Sequence, residues 1–216
     1  MDAVLTKPAL RGWLHFWSFL VSIVAGAVLV LVAASVSARA AAATGVYAVT
    51  VLGLFGVSAL YHRRHWVTRR ARAMMRRLDH SMIFLFIAGT YTPFATLAMP
   101  ERTGIVVLIV VWSGALAGVA LKLAWPHGPR WVSVPVYIAL GWVAVFVMPS
   151  LLTHAGLTAF VLLSIGGALY TAGAIFYATR WPDPWPRVFG HHEFFHAATV
   201  LAALCHHVAI WFALYA

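Results

Sequence analysis

From residue 13 almost to its C-terminal end, this chain is a succession of apolar stretches with only short polar intervals between them. The stretches 13–35, 44–65, 79–98, 104–123, 132–150, 155–178 and 191–213 each come near the ~20 residues that a helix needs to cross about 30 Å of hydrocarbon. A backbone in lipid must satisfy its own hydrogen bonds, and only helices do so segment by segment at this length, since membrane strands are about half as long. The sequence therefore predicts an all-α fold, an integral membrane bundle of seven transmembrane helices in a single domain over 1–216. Charged residues make up 9% of the chain, where a soluble domain carries roughly 25%. No interval is long enough for a separate soluble domain.

The charges that remain are distributed unevenly. Lys7, Arg11, Arg63, Arg64, Arg69, Arg70, Arg72, Arg76, Arg77, Lys122, Arg130, Arg180 and Arg187 fall at one end of the alternating spans, and only Arg39 and Arg102 at the other. Because cytoplasmic loops collect Lys and Arg, this pattern predicts a cytoplasmic N-terminus and an outside C-terminus. A nucleic-acid surface needs its basic residues on a solvated domain, so that class is excluded. The expected partners are membrane lipids, with anionic headgroups against the arginine-rich loop Arg63–Arg77, which is read chiefly as a topology anchor. Trp125, Trp131, Trp181 and Trp185 stand where interfacial aromatics belong. Gly114 and Gly118, with Gly166, Gly167 and Gly173, suit close helix packing. The run from Trp13 to Ala34 exceeds the ~7–15 residues of a signal-peptide core and reads as a first span. Cys205 is the single cysteine, so disulfide frameworks and multi-thiolate metal sites are excluded.

Ionisable groups inside spans are costly and point to function. Ser58 and His62 end the second span; Asp79, His80 and Ser81 begin the third; His191, His192, Glu193 and His196 open the seventh. With the alternation above, these groups share one depth. Ser58 and His62 are four residues apart on one helix face, as are His192 and His196, so three imidazoles from two helices can converge. Zinc suits such a set, because catalytic zinc keeps three protein ligands and an open fourth position. Asp79 is then placed to hold or deprotonate bound water, and Ser58 to orient a ligand or reacting group. Competing readings are half-solvated interfacial histidines, haem ligation, and a protease of the HExxH type, which residues 192–196 match formally with Glu193 as base. His15, His65, His127 and His154 are expected to be ordinary polar residues at span ends or in loops. His207 lies ~16 Å beyond His196 along the helix, too far to share its ligand set.

Three blocks carry a family likeness: Ser58-x3-His62; Leu78-Asp79-His80-Ser81 running on to Gly89-Thr90-Tyr91-Thr92-Pro93; and Gly190-His191-His192-Glu193-Phe194-Phe195-His196. In order and spacing they resemble the hemolysin III family, bacterial relatives of the progestin and adipoQ receptors. The resemblance implies a seven-helix bundle in a bacterial inner membrane, zinc held by His62, His192 and His196, Asp79 on the zinc-bound water and Ser58 in the same site. Through the superfamily's likeness to alkaline ceramidases it implies a hydrolase acting on a lipid amide or related carbonyl compound bound in the bundle. The alternative is a non-enzymatic receptor, a haemolytic channel or a membrane-homeostasis protein with structural zinc. The sequence leaves substrate and oligomeric state open.

Overall fold

The structure, a computed structural model, describes residues 7–125 and 128–216. Among these lie six α-helices: α1 (Trp13–Val36), α2 (Ala38–Arg63), α3 (Arg69–Leu97), α4 (Glu101–Ala124), α5 (Arg130–Thr179) and α6 (His191–Leu214). All but α3 are long and apolar enough to cross a membrane. Their outward side chains form an apolar belt: Val21, Val24, Leu31, Val49, Phe146 and Leu157 are each at least 66% exposed. A belt of this extent drives association in water, whereas lipid is a matching solvent for it. His127 lies outside the described residues.

Helix boundaries follow from local chemistry. Ser37 is the whole connection between α1 and α2: its backbone is extended, and its hydroxyl accepts from the Ala40 amide. α2 therefore begins at Ala38, six residues before the stretch expected from hydropathy. The arginine-rich segment departs further from expectation. Most of it is helix rather than loop, because Thr68 caps Ala71 and Arg, Ala and Met are strong helix formers. His80, Ser81, three threonines, Tyr91 and Pro93 within its charge-free part keep α3 out of the apolar set, although it is largely buried from Ser81 to Ala95. Pro93 sits inside α3; Thr90 and Thr92 donate to the carbonyls of Phe86 and Ala88 in the same region.

α5 has fifty residues, which would extend ~75 Å if straight. It is instead a hairpin. Gly156 adopts φ 82° and ψ 171°, a backbone state open to glycine and strained for other residues. Beyond it the chain folds back: Arg130 donates to the Tyr177 carbonyl at 3.2 Å, and Trp142 Nε1 to Thr171 Oγ1 at 3.2 Å. The arms 130–155 and 157–179 thus run antiparallel. Successive helices pack on one another, α3 also touches α5 and α6, and α6 closes the bundle against α1. The starts of α1, α3 and α6, the end of α2 and both ends of α5 meet at one end of the bundle, which carries the arginine-rich chain. The site lies just inside that end.

Candidate functional site

His62 occupies the last turn of α2, with Ser58 one turn before it, and both are buried. His192 and His196 occupy the first two turns of α6 on one face. One ring nitrogen from each of the three histidines lies within 4.8 Å of the others. The Nε2 atoms of His62 and His192 are 3.2 Å apart. Three side chains from two helices far apart in sequence therefore form a cluster that could hold a metal ion.

α6 starts here because two carboxylates satisfy its first amides. Asp183, from the proline-rich connection, accepts from the His191 amide at 3.0 Å. Glu193 accepts from the Gly190 amide at 2.9 Å, and its second oxygen pairs with Arg11. Such groups complement the unpaired N–H ends and the positive end of the helix dipole. They also bear on the HExxH pattern. Glu193 is bound to its own helix start and to Arg11, so it is not set as a general base beside the cluster.

Arg11 belongs to a short strap that fastens the chain's first helix over the site. The amides of Ala9 and Leu10 donate to the carbonyls of Arg187 and Val188 at 3.0 and 3.2 Å. Gly12 has φ 81° and lies so close to His62 that a Cβ there would be 2.7 Å from the His62 Cβ. Arg63 covers the Trp13 ring at 3.4 Å, a cation–π contact. This strap delivers His15, which sequence reasoning treats as ordinary. Its ring stacks on His196 with centroids 3.8 Å apart and planes 10° off parallel. It is 2% exposed, and neither ring nitrogen has a hydrogen-bond partner. The missed signal was depth: position 15 lies within the first span at the level of His62.

Asp79 stands at the edge of the cluster, its Oδ2 3.9 Å from His62 Nε2. Ser58 is its polar neighbour. His80 turns elsewhere: Nδ1 donates to the Arg76 carbonyl at 2.7 Å, and Nε2 accepts from Tyr177 at 3.2 Å. That tautomer follows from the carbonyl, which can only accept. His207 accepts from Trp211 Nε1 at 3.3 Å, while His65 and His154 are exposed and remain ordinary polar residues. Ser58, Asp79, His192 and His196 open onto a cavity of about 700 Å³ that runs between α3, both arms of α5 and α6 as far as Phe94, Met148 and Leu151. Its walls are almost wholly apolar. A polar cluster at one end of a greasy channel can bind an amphiphile by head and tail together.

Comparison with known proteins bears on this arrangement. The family model described as Haemolysin-III related matches residues 3–207. The Hemolysin-3 homolog of Bacillus subtilis is 32% identical over 70% of this chain and 68% of its own length. Hemolysin-3 of Bacillus cereus is 32% identical over 70% of this chain and 65% of its own length. The heptahelical transmembrane protein ADIPOR2 of Oryza sativa is 30% identical over 76% of this chain and 79% of its own.

Replacing Glu193 by Ala removes the Gly190 cap and leaves Arg11 unpaired, a loss of about 1–3 kcal/mol. The expected result is a lower unfolding temperature in detergent with metal content unchanged. Loss of metal at unchanged stability would return Glu193 to the metal site.

Proposed function

The chain belongs to the haemolysin-III related family, a family of multi-pass membrane proteins, and from that premise we propose that it is a zinc-dependent hydrolase of long-chain lipid amides or related carbonyl compounds. The observation that carries this reading is a three-histidine cluster opening directly onto a long apolar cavity. The donor set suits zinc: three imidazoles and no thiolate. Bonds of 2.0–2.1 Å to a tetrahedral ion put ligand atoms about 3.3 Å apart, close to the 3.2 Å between the Nε2 atoms of His62 and His192. His62, His192 and His196 are the proposed ligands. When bound, zinc polarises a carbonyl and makes water a nucleophile at neutral pH.

The chain's own residues supply the rest. Asp79 takes the proton released as water attacks and returns it to the leaving nitrogen, as general base and then general acid. Ser58, beside it, holds the carboxyl and orients the substrate head. Cavity walls between α3, α5 and α6 hold the acyl chain, each buried methylene adding ~0.8 kcal/mol, and keep bulk water from the site. One observation favours a second reading, a receptor or channel with structural zinc. Asp79 lies 3.9 Å from His62 Nε2, near enough to close the coordination as a fourth ligand.

The experiment that separates these readings is metal analysis of protein purified in detergent, paired with turnover of long-chain amides. Wild type should carry one zinc per chain, and the Ala variants of His62, His192 and His196 none. Asp79→Asn should keep its zinc while turnover falls by about 10²-fold or more. If Asp79→Asn loses zinc and unfolds at lower temperature, the structural reading holds; a wild type that takes up no zinc sinks both.

The same reading gives seven crossings, with α3 and each arm of α5 spanning once, in a bacterial inner membrane. Thirteen of the fifteen Lys and Arg residues lie on the side taken as cytoplasmic. Reporters inserted after Ser37, Met99 and Gly156 should be read outside, and those after Arg64, Trp125 and Trp185 inside. An inside signal at Gly156 would remove the hairpin crossing. The arginines of 63–77 are the expected seat of anionic headgroups. Anionic lipid should co-purify with wild type and be depleted when Arg69, Arg70 and Arg72 become Gln; equal lipid in both argues for a topology signal alone.

A further inference from the structure

A histidine can ligate a metal only while the plane of its ring points at the ion. The torsion that sets this plane, χ2, is broad and roughly two-fold, so neither the backbone nor a rotamer preference fixes it. Metal-ligating histidines are usually held by a hydrogen bond to the second ring nitrogen. Within the cluster the short contact is between His62 and His192, at 3.2 Å, and among the described residues no hydrogen bond reaches the His196 ring. His62 and His192 meet that ring at steep angles, 63° and 55°, with centroids 5.1 and 4.6 Å away. His15 alone, among the described residues, lies flat against it, at 3.8 Å and 10°.

His15 is itself held firmly. Phe55 of α2 packs on its ring with centroids 5.1 Å apart. The strap places its helix, through the backbone bonds of Ala9 and Leu10 to the Arg187 and Val188 carbonyls and the pairing of Arg11 with Glu193. Its two nitrogens have no hydrogen-bond partner, and it stands outside the three-residue ligand set. What it offers the cluster is therefore the face of its ring.

We propose that His15 is a positioning residue for the metal centre: stacked on His196, it sets the plane of that ring and so the affinity and coordination geometry of the ion. The inference rests on the metal reading above and extends the centre to the first helix. A contact that orients a metal ligand from behind typically carries about 10–100-fold in metal affinity.

The test uses full-length protein in detergent, stripped of metal, then titrated with zinc against a chelating competitor and with cobalt(II), whose visible absorption reports ligand number and geometry. His15→Leu fills the space without a flat face, and His15→Phe keeps the flat face without nitrogens. His15→Leu should bind zinc about 10–100-fold more weakly than wild type and shift the cobalt absorption, while His15→Phe restores both. The unfolding temperature of the metal-free protein is the control for packing, and it should be no lower in either variant, since both remove two unmet polar atoms. Wild-type zinc affinity and cobalt absorption in His15→Leu overturn the proposal and leave His15 a packing residue. Affinity in His15→Phe well below that of wild type also overturns it, because a nitrogen rather than the ring face is then required; this outcome stands whether or not His15→Leu folds. If wild type binds neither metal, the metal reading fails and takes the proposal with it; if wild type binds and the variants match it, only the proposal fails.

Discussion

Hydrocarbon offers no partner to an amide or a carbonyl, and nearly every feature of this chain follows from that fact. It makes the segments helices, shrinks the turns to a few residues, and forces each break in a helix to be compensated nearby. Ser37 turns the chain alone, its hydroxyl taking the Ala40 amide at the start of α2. Where Gly156 reverses α5, Thr153 and His154 bond the carbonyls of Pro149 and Ser150 that end the first arm. It also sorts the polar residues. Most face the basic end, bond a carbonyl of their own helix, or pair across helices as Trp142 does with Thr171 and Tyr91 with the Gly141 carbonyl, while His62, His192 and His196 converge on one another.

Hydropathy made the helical fold readable because lipid imposes it residue by residue. Boundaries were less readable, since they depend on single side chains. Thr68 turns an apparent arginine-rich loop into the start of α3, and the alanines after Ser37 extend α2 backward. The break in α5 was readable from length, since an apolar run from 132 to 178 is too long for one crossing and the spans expected at 132–150 and 155–178 flank it; the turn itself falls at Gly156.

The candidate site was readable in part for a different reason. His62, His192 and His196 share a depth, and spacing of four residues puts ligand pairs on one face, so their meeting follows from topology and helix geometry. His15 was missed because a lone imidazole has no spacing pattern; its position depends on a strap of backbone bonds between residues 9–10 and 187–188. Glu193 is ambiguous in sequence for the opposite reason. It completes a familiar five-residue pattern, yet helix-end electrostatics claims it first, through the Gly190 amide and Arg11.

The strap has a further consequence, in the order of events during synthesis. His62 is made early, but the residues that complete its cluster lie 130 positions later, and the groups that hold the first helix in place, Arg187, Val188 and Glu193, come with them. Nothing made before α6 can assemble the cluster. The segment 187–196 thus supplies two of the three histidines together with the groups that hold the strap, so a chain cut short before it lacks both at once.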